Sequence, residues 1–248
     1  MMTSLTRLIL AAALICPPLA HASFKAGADG LPEGWKLFRI NEKVAATQFK
    51  LLAEPESAVL HAVASNSMAG IIRKQRVDLD KTPLLCWRWK VKASVAKADL
   101  STKAGDDYAA RLYVFYDVPA SQLAFSDRVK IKLAKSLYGA EIPTAALNYV
   151  WDNKYTIGTI RANAYTDRTR LIVLQSGNSK AGQWQSEVRN VKQDYVAAFG
   201  SPAPDVVGLA IATDTDNEKH RRGLVSRAAF CGERRSVQFE LRFKRKEN

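Results

Sequence analysis

Apolar and polar residues alternate with a period of two along most of this chain, and that pattern limits its fold more than any other feature. The sharpest instance lies near the C-terminus, where Val237, Phe239, Leu241 and Phe243 alternate with Gln238, Glu240, Arg242 and Lys244. Successive side chains of a strand point to opposite faces, so this segment predicts a strand with one apolar and one charged face. Leu85, Trp87, Trp89 and Val91 alternate with Cys86, Arg88 and Lys90 in the same way. Further strand candidates span 48–52, 59–64, 70–77, 108–116, 145–151, 169–175 and 206–213.

Two stretches carry helical spacing instead. Ser126 is placed to cap a helix in which Val129, Leu133 and Leu137 recur every four residues, with Gly139 past its end. Val188, Val191, Tyr195 and Phe199 form a second stripe, stopped by Gly200 and Pro202. About nine or ten strands, with two short helices inserted rather than alternating, predict a mainly β chain. The expected architecture is an antiparallel β-sandwich, jelly-roll-like, in a single domain over residues 23–248.

Residues 1–22 hold Arg7, an apolar run over 8–15, and Ala20 and Ala22 around His21. This is the signature of a secretory leader cleaved near Ala22. The run is shorter than the roughly 18 apolar residues that span a bilayer, and no later stretch is long enough. The expectation is an exported protein, periplasmic or secreted, without a transmembrane segment. Ile15 precedes Cys16 where a lipid-attachment motif needs a small residue, which argues against a lipid anchor. Thirty-seven Lys and Arg against 24 Asp and Glu give a net charge of +13. In an exported protein such a charge points to a glycan or an anionic cell-envelope polymer as partner rather than to nucleic acid. The alternative is a solvated basic surface that serves solubility alone.

Beyond the leader the cysteines are Cys86 and Cys231. An oxidising compartment leaves a Cys86–Cys231 disulfide as their one intramolecular pairing, with two separately buried thiols as the alternative. Several chemistries are excluded. His61 and His220 are too few and too far apart for a conventional zinc site, and there is no CxxC. The chain has no GxSxG, no GxxxxGK[ST], and no GxGxxG between a strand and a helix. Ser94 and Lys97 form an S-x-x-K without its partner motifs. No cofactor is expected.

Three clusters could carry chemistry. Gly105, Asp106, Asp107 and Tyr108 lead into the apolar run that contains Arg111, and a buried arginine needs a carboxylate. Asp107 or Asp214 is the expected partner. Gly208, Ala210, Ala212, Asp214 and Asp216 share one strand face, which a helix or a ligand must approach closely. Asp214, Asp216 and Glu218 resemble the first ligands of a calcium loop. The turn glycine is missing, however, and Lys219, Arg221 and Arg222 follow, so no metal is expected. The third cluster gathers Asn148, Tyr149, Trp151, Asp152 and Asn153 with Tyr165, Trp184, Glu187, Arg189 and Asn190. Aromatic faces beside amides and charges suit sugar rings, although Tyr149 and Trp151 share parity with Leu147 and equally suit a core.

The ordered runs GDDYAARLYV, LNYVWDN, LIVLQSG, EVRNV followed by DY and FG, and GLAIATDTDN resemble a family of exported bacterial proteins classed as a domain of unknown function. The likeness spans residues 35–243. It matches at Asp106, Asp107, Tyr108, Arg111, Asn148, Trp151, Glu187, Asn190, Asp214, Asp216 and Asn217, and departs at Glu218-Lys219-His220, where the family continues with Thr. The resemblance implies a periplasmic jelly-roll-like fold and no activity. Two functions stay open. One is a non-catalytic module that binds a glycan or acidic polymer through Asp106, Asp107, Arg111, Asn148, Trp151, Glu187, Asp214, Asp216 and Asn217. The other is a glycan-acting enzyme that takes an acid and a base from Asp106, Asp107, Glu187, Asp214 and Asp216.

Overall fold

The computed structural model describes residues 21–22, 24–53, 58–123 and 143–216, strands at 225–233 and 243–244, and helical backbone at 125, 126, 128, 129 and 132. The leader over 1–20, Asn217 and most of the C-terminal alternating segment lie outside the described residues.

The strands are β1 (His21–Ala22), β2 (Lys36–Phe38), β3 (Gln48–Ala53), β4 (Ala58–Ser65), β5 (Met68–Val77), β6 (Leu84–Val91) and β7 (Arg111–Tyr116). After them come β8 (Ala145–Asp152), β9 (Ile160–Ala162), β10 (Thr169–Ser176), β11 (Gln185–Asn190), helix α1 (Val191–Phe199), β12 (Val206–Asp214), β13 (Val225–Glu233) and β14 (Phe243–Lys244). A mixed seven-stranded sheet runs β2-β5-β12-β7-β8-β10-β9. A second sheet runs β11-β6-β13-β4-β3, with β1 beside β13 and β14 beside β6. The chain passes from the second sheet to the mixed one between β4 and β5 through Asn66, whose φ of 48° is left-handed. Asparagine reaches that conformation more readily than most residues.

The alternation read from the sequence sets the core. Leu85, Trp87, Trp89 and Val91 of β6 face inward, and so do Leu112, Val114 and Tyr116 of β7. Aromatic rings join the two sheets: Trp87 meets Tyr149 at 5.3 Å between centroids, and Trp89 meets Trp151 at 6.0 Å. Helix α1 closes one end. Tyr116 donates its hydroxyl to the Val191 carbonyl at 2.9 Å, and Tyr149 donates to Asp194 Oδ2 at 2.6 Å.

Two expectations are corrected. First, the sheets are not purely antiparallel, because β10 pairs with β8 in parallel, Thr169 opposite Ala146 through Ser176 opposite Asp152. The connection loops out through β9, which takes the edge and lets β10 return beside β8. Second, the helical stripe that included Val188 starts only at Val191. Asn190 caps the helix by accepting from the Gln193 N–H at 3.1 Å, which ends β11 and leaves Val188 on the strand. Gly200 stops the helix as expected, in the left-handed conformation at φ 69°. Cys86 is buried on β6. Cys231 stands opposite Arg88 in the β13–β6 register, so Cys86 is its diagonal neighbour, and the side chain of Cys231 lies outside the described residues. Of the helix expected after Ser126, positions 125, 126, 128, 129 and 132 are helical, so Ser126 lies within the helix rather than capping it, and Leu133, Leu137 and Gly139 fall outside the described residues.

Candidate functional site

Register sorts by face those predicted site residues that lie on strands of the mixed sheet. Arg111 pairs with Val150 and Ala212, and Tyr113 pairs with Asn148 and Ala210. Because Leu112 and Tyr149 face the core, Arg111, Tyr113, Phe115, Asn148, Ala210, Ala212 and Asp214 occupy the outer face. Trp151 and Glu187 do not join them. Trp151 packs on Trp89 in the core and donates its indole N–H to the Gly177 carbonyl at 3.0 Å. Glu187 accepts from Trp89 Nε1 at 3.0 Å and from Gln175 Nε2 at 2.8 Å, tying the two sheets together. Burial pushes the Glu187 carboxyl up, against the pull of these two bonds.

Arg111 is enclosed on every side. Its Nη2 donates to the Asp106 carbonyl at 2.5 Å and to Asp106 Oδ1 at 2.9 Å, and its Nη1 donates to the Tyr113 hydroxyl at 2.8 Å. Nε stands 3.3 Å from Asp214 Oδ1, and the Tyr108 ring lies 4.3 Å from Cζ. Asp214 is therefore one predicted partner, and Asp106, not named for this role, is a second. Asn163 Nδ2 donates to Asp106 at 3.2 Å and fixes it from the β9–β10 loop.

The end of β12 is anchored from several strands. The Thr47 hydroxyl donates to the Thr213 carbonyl at 2.8 Å, and the Tyr108 N–H donates to Asp214 Oδ1 at 2.8 Å. Carboxylate oxygens of Asp107, Asp214 and Asp216 lie within 4.8 Å of one another. Burial, with Asp106 and Asp107 adding their charge, pushes the Asp214 carboxyl up to about 8, although Arg111 pulls the other way. Arg111 stays charged, since its carboxylate neighbours outweigh the burial that opposes the charge. Asp107 and Asp214 are 1% and 3% exposed while Asp216 is half-buried, so a ligand reaches the trio only from the Asp216 side.

Tyr113 and Phe115, half-buried on the outer face, stack at 5.8 Å with 17° between their planes. Beside them Asn148 is 0% exposed, and neither its amide oxygen nor its nitrogen has a hydrogen-bond partner among the described residues. The two aromatics were absent from the sequence reading, though their shared parity with Arg111 was a usable signal. The small-residue face of β12 has in part a local cause. A Cβ on Gly208 would stand 2.9 Å from the Arg73 carbonyl, where the β12–β5 pairing shifts register. Other predicted residues have scaffold roles: Asn190 caps α1, while Ser94 and Asn153 join loops through bonds to Asn178 and the Ala96 carbonyl.

Residues 33–224 match a protein family described as "Protein of unknown function (DUF3047)". No curated protein matches the chain.

Proposed function

Since the chain belongs to the DUF3047 family, whose description states no activity, we propose from the chemistry of the site that it is an exported, non-catalytic module that binds a glycan on the outer face of the mixed sheet. Asn148 carries this reading. A buried side-chain amide without partners costs about 1–3 kcal/mol, a cost that is relieved where a ligand or water completes the bonds. Asn148 sits next to the stacked Tyr113 and Phe115 rings, and the small Ala210 and Ala212 share their face of the sheet. A flat apolar platform beside a bidentate amide fits a sugar ring, with one face for stacking and hydroxyls at its rim.

The carboxylates favour binding over cleavage. Asp106 and Asp214 are committed to Arg111, and Asp107 is closed to solvent, whereas a glycosidase needs its acid and base open to a cleft. Export rests on the leader-like residues 1–22, and no helix among the described residues is long and apolar enough to cross a membrane. We read the two facing sheets over residues 23–248 as a single sandwich of jelly-roll character.

Asn148→Leu tests the reading, because it keeps the branched four-atom outline of the side chain and removes the orphan amide. The variant should melt higher than wild type and lose affinity for whichever oligosaccharide a panel of envelope glycans identifies by calorimetry. Full affinity in the variant, or no saccharide bound by wild type, would overturn the assignment.

A further inference from the structure

We propose that the outer face of the second sheet, centred on Arg88, Trp184 and Lys90, binds an acidic polysaccharide. Arg88 and Lys90 are two residues apart on β6 and so project from the same face. Trp184, just before β11, takes both cations against its ring: Arg88 Cζ lies 5.1 Å from the centroid and Lys90 Nζ lies 4.8 Å from it. All three side chains are half-buried, and neither cation has a carboxylate partner among the described residues.

This arrangement differs from the basic residues nearby that are neutralised, such as Arg189 on Asp194 and Lys192 on Asp80. Two like charges held at one ring repel, and cation–π attraction of about 0.5–1 kcal/mol each offsets this only in part at an exposed site. An anion placed between them removes the repulsion. Register leads from Lys90 across the sheet to a third cation, because Lys90 lies opposite Ala229, Ala229 opposite His61, and His61 opposite Lys50. Three interstrand steps make this row about 14 Å long.

A linear chain of acidic sugars matches the row in shape and charge. Its carboxylates meet the cations, and its ring faces meet the indole. A membrane surface fits less well, since Val188 is the one exposed large apolar side chain beside this cluster among the described residues. The site is independent of Asn148, which lies on the other sheet.

The test is retention on immobilised polygalacturonate at low salt, with the full-length exported protein. Wild type should be retained and should elute as salt rises, because screening shortens the reach of its charges to about 8 Å at physiological ionic strength. Arg88→Gln/Lys90→Gln should weaken the affinity at least tenfold. Trp184→Leu should weaken it too, with circular dichroism confirming the fold of each variant. The control Lys36→Gln/Lys74→Gln removes the same charge from the mixed sheet and should bind as wild type. Equal loss in the control would reduce the effect to net charge and overturn the proposal. So would binding to phosphatidylglycerol vesicles without binding to polygalacturonate.

Discussion

Arg111 and Asp214 show how one buried cation organises several acids. Arg111 has two carboxylate neighbours, Asp106 and Asp214, and a tyrosine hydroxyl, so its charge is answered within the protein. Burial of Asp214, with the charges of Asp106 and Asp107 added to it, outweighs the pull of that one guanidinium, and its carboxyl rises from the ordinary 3.8 to about 8. A carboxyl raised on folding binds more protons in the native state than in the unfolded chain between these two values. Its contribution to stability is therefore complete below about pH 4 and is lost as pH climbs through about 8. Asp214→Asn keeps an acceptor for the Tyr108 N–H and removes the titration. We expect its melting temperature relative to wild type to be higher at pH 8.5 than at pH 5; parallel melting curves across that range would refute the shift. The pairing of Arg111 with a carboxylate was legible in the sequence, because an arginine inside an apolar strand has few other solutions. That Asp106 would serve was not, since its reach depends on the backbone between Gly105 and Arg111.

At the scale of elements, alternation located most of the strands. Those found, such as β4, β6, β8 and β12, agree with the expected segments to within a residue or two, because each has a buried face that tolerates no slip. The edge strands β2 and β9 were missed, and their three residues each are exposed, so no apolar pattern marks them. Strand β11 was missed because Val188 completed a helical spacing with Val191 and Tyr195, and only the Asn190 cap separates strand from helix. In β12 the bulge between Val206 and Gly208 brings the Arg73 carbonyl close, so Gly208 serves the backbone rather than a ligand. Gly208→Ala should cost about 1–3 kcal/mol by overpacking, read as a lower denaturation midpoint with unchanged slope. An unchanged midpoint would mean that the bulge relaxes freely.

For the whole molecule, the two sheets hold together through aromatic contacts and through Glu187, which joins Trp89 to Gln175 across them. The sequence by itself determined the β-rich class, the inward faces of the strands, the helix stop at Gly200 and the membership of Arg111 in a buried ion pair. Each follows from local rules: side-chain period, φ preference, or the cost of an unpaired charge. Only the tertiary structure decided that β10 runs parallel to β8, that Trp151 and Glu187 face the core while Asn148 faces out, and that Cys86 and Cys231 sit on a diagonal. Those outcomes depend on strand order and register, which are set by contacts between segments far apart in the chain and leave no trace in the residues on either side.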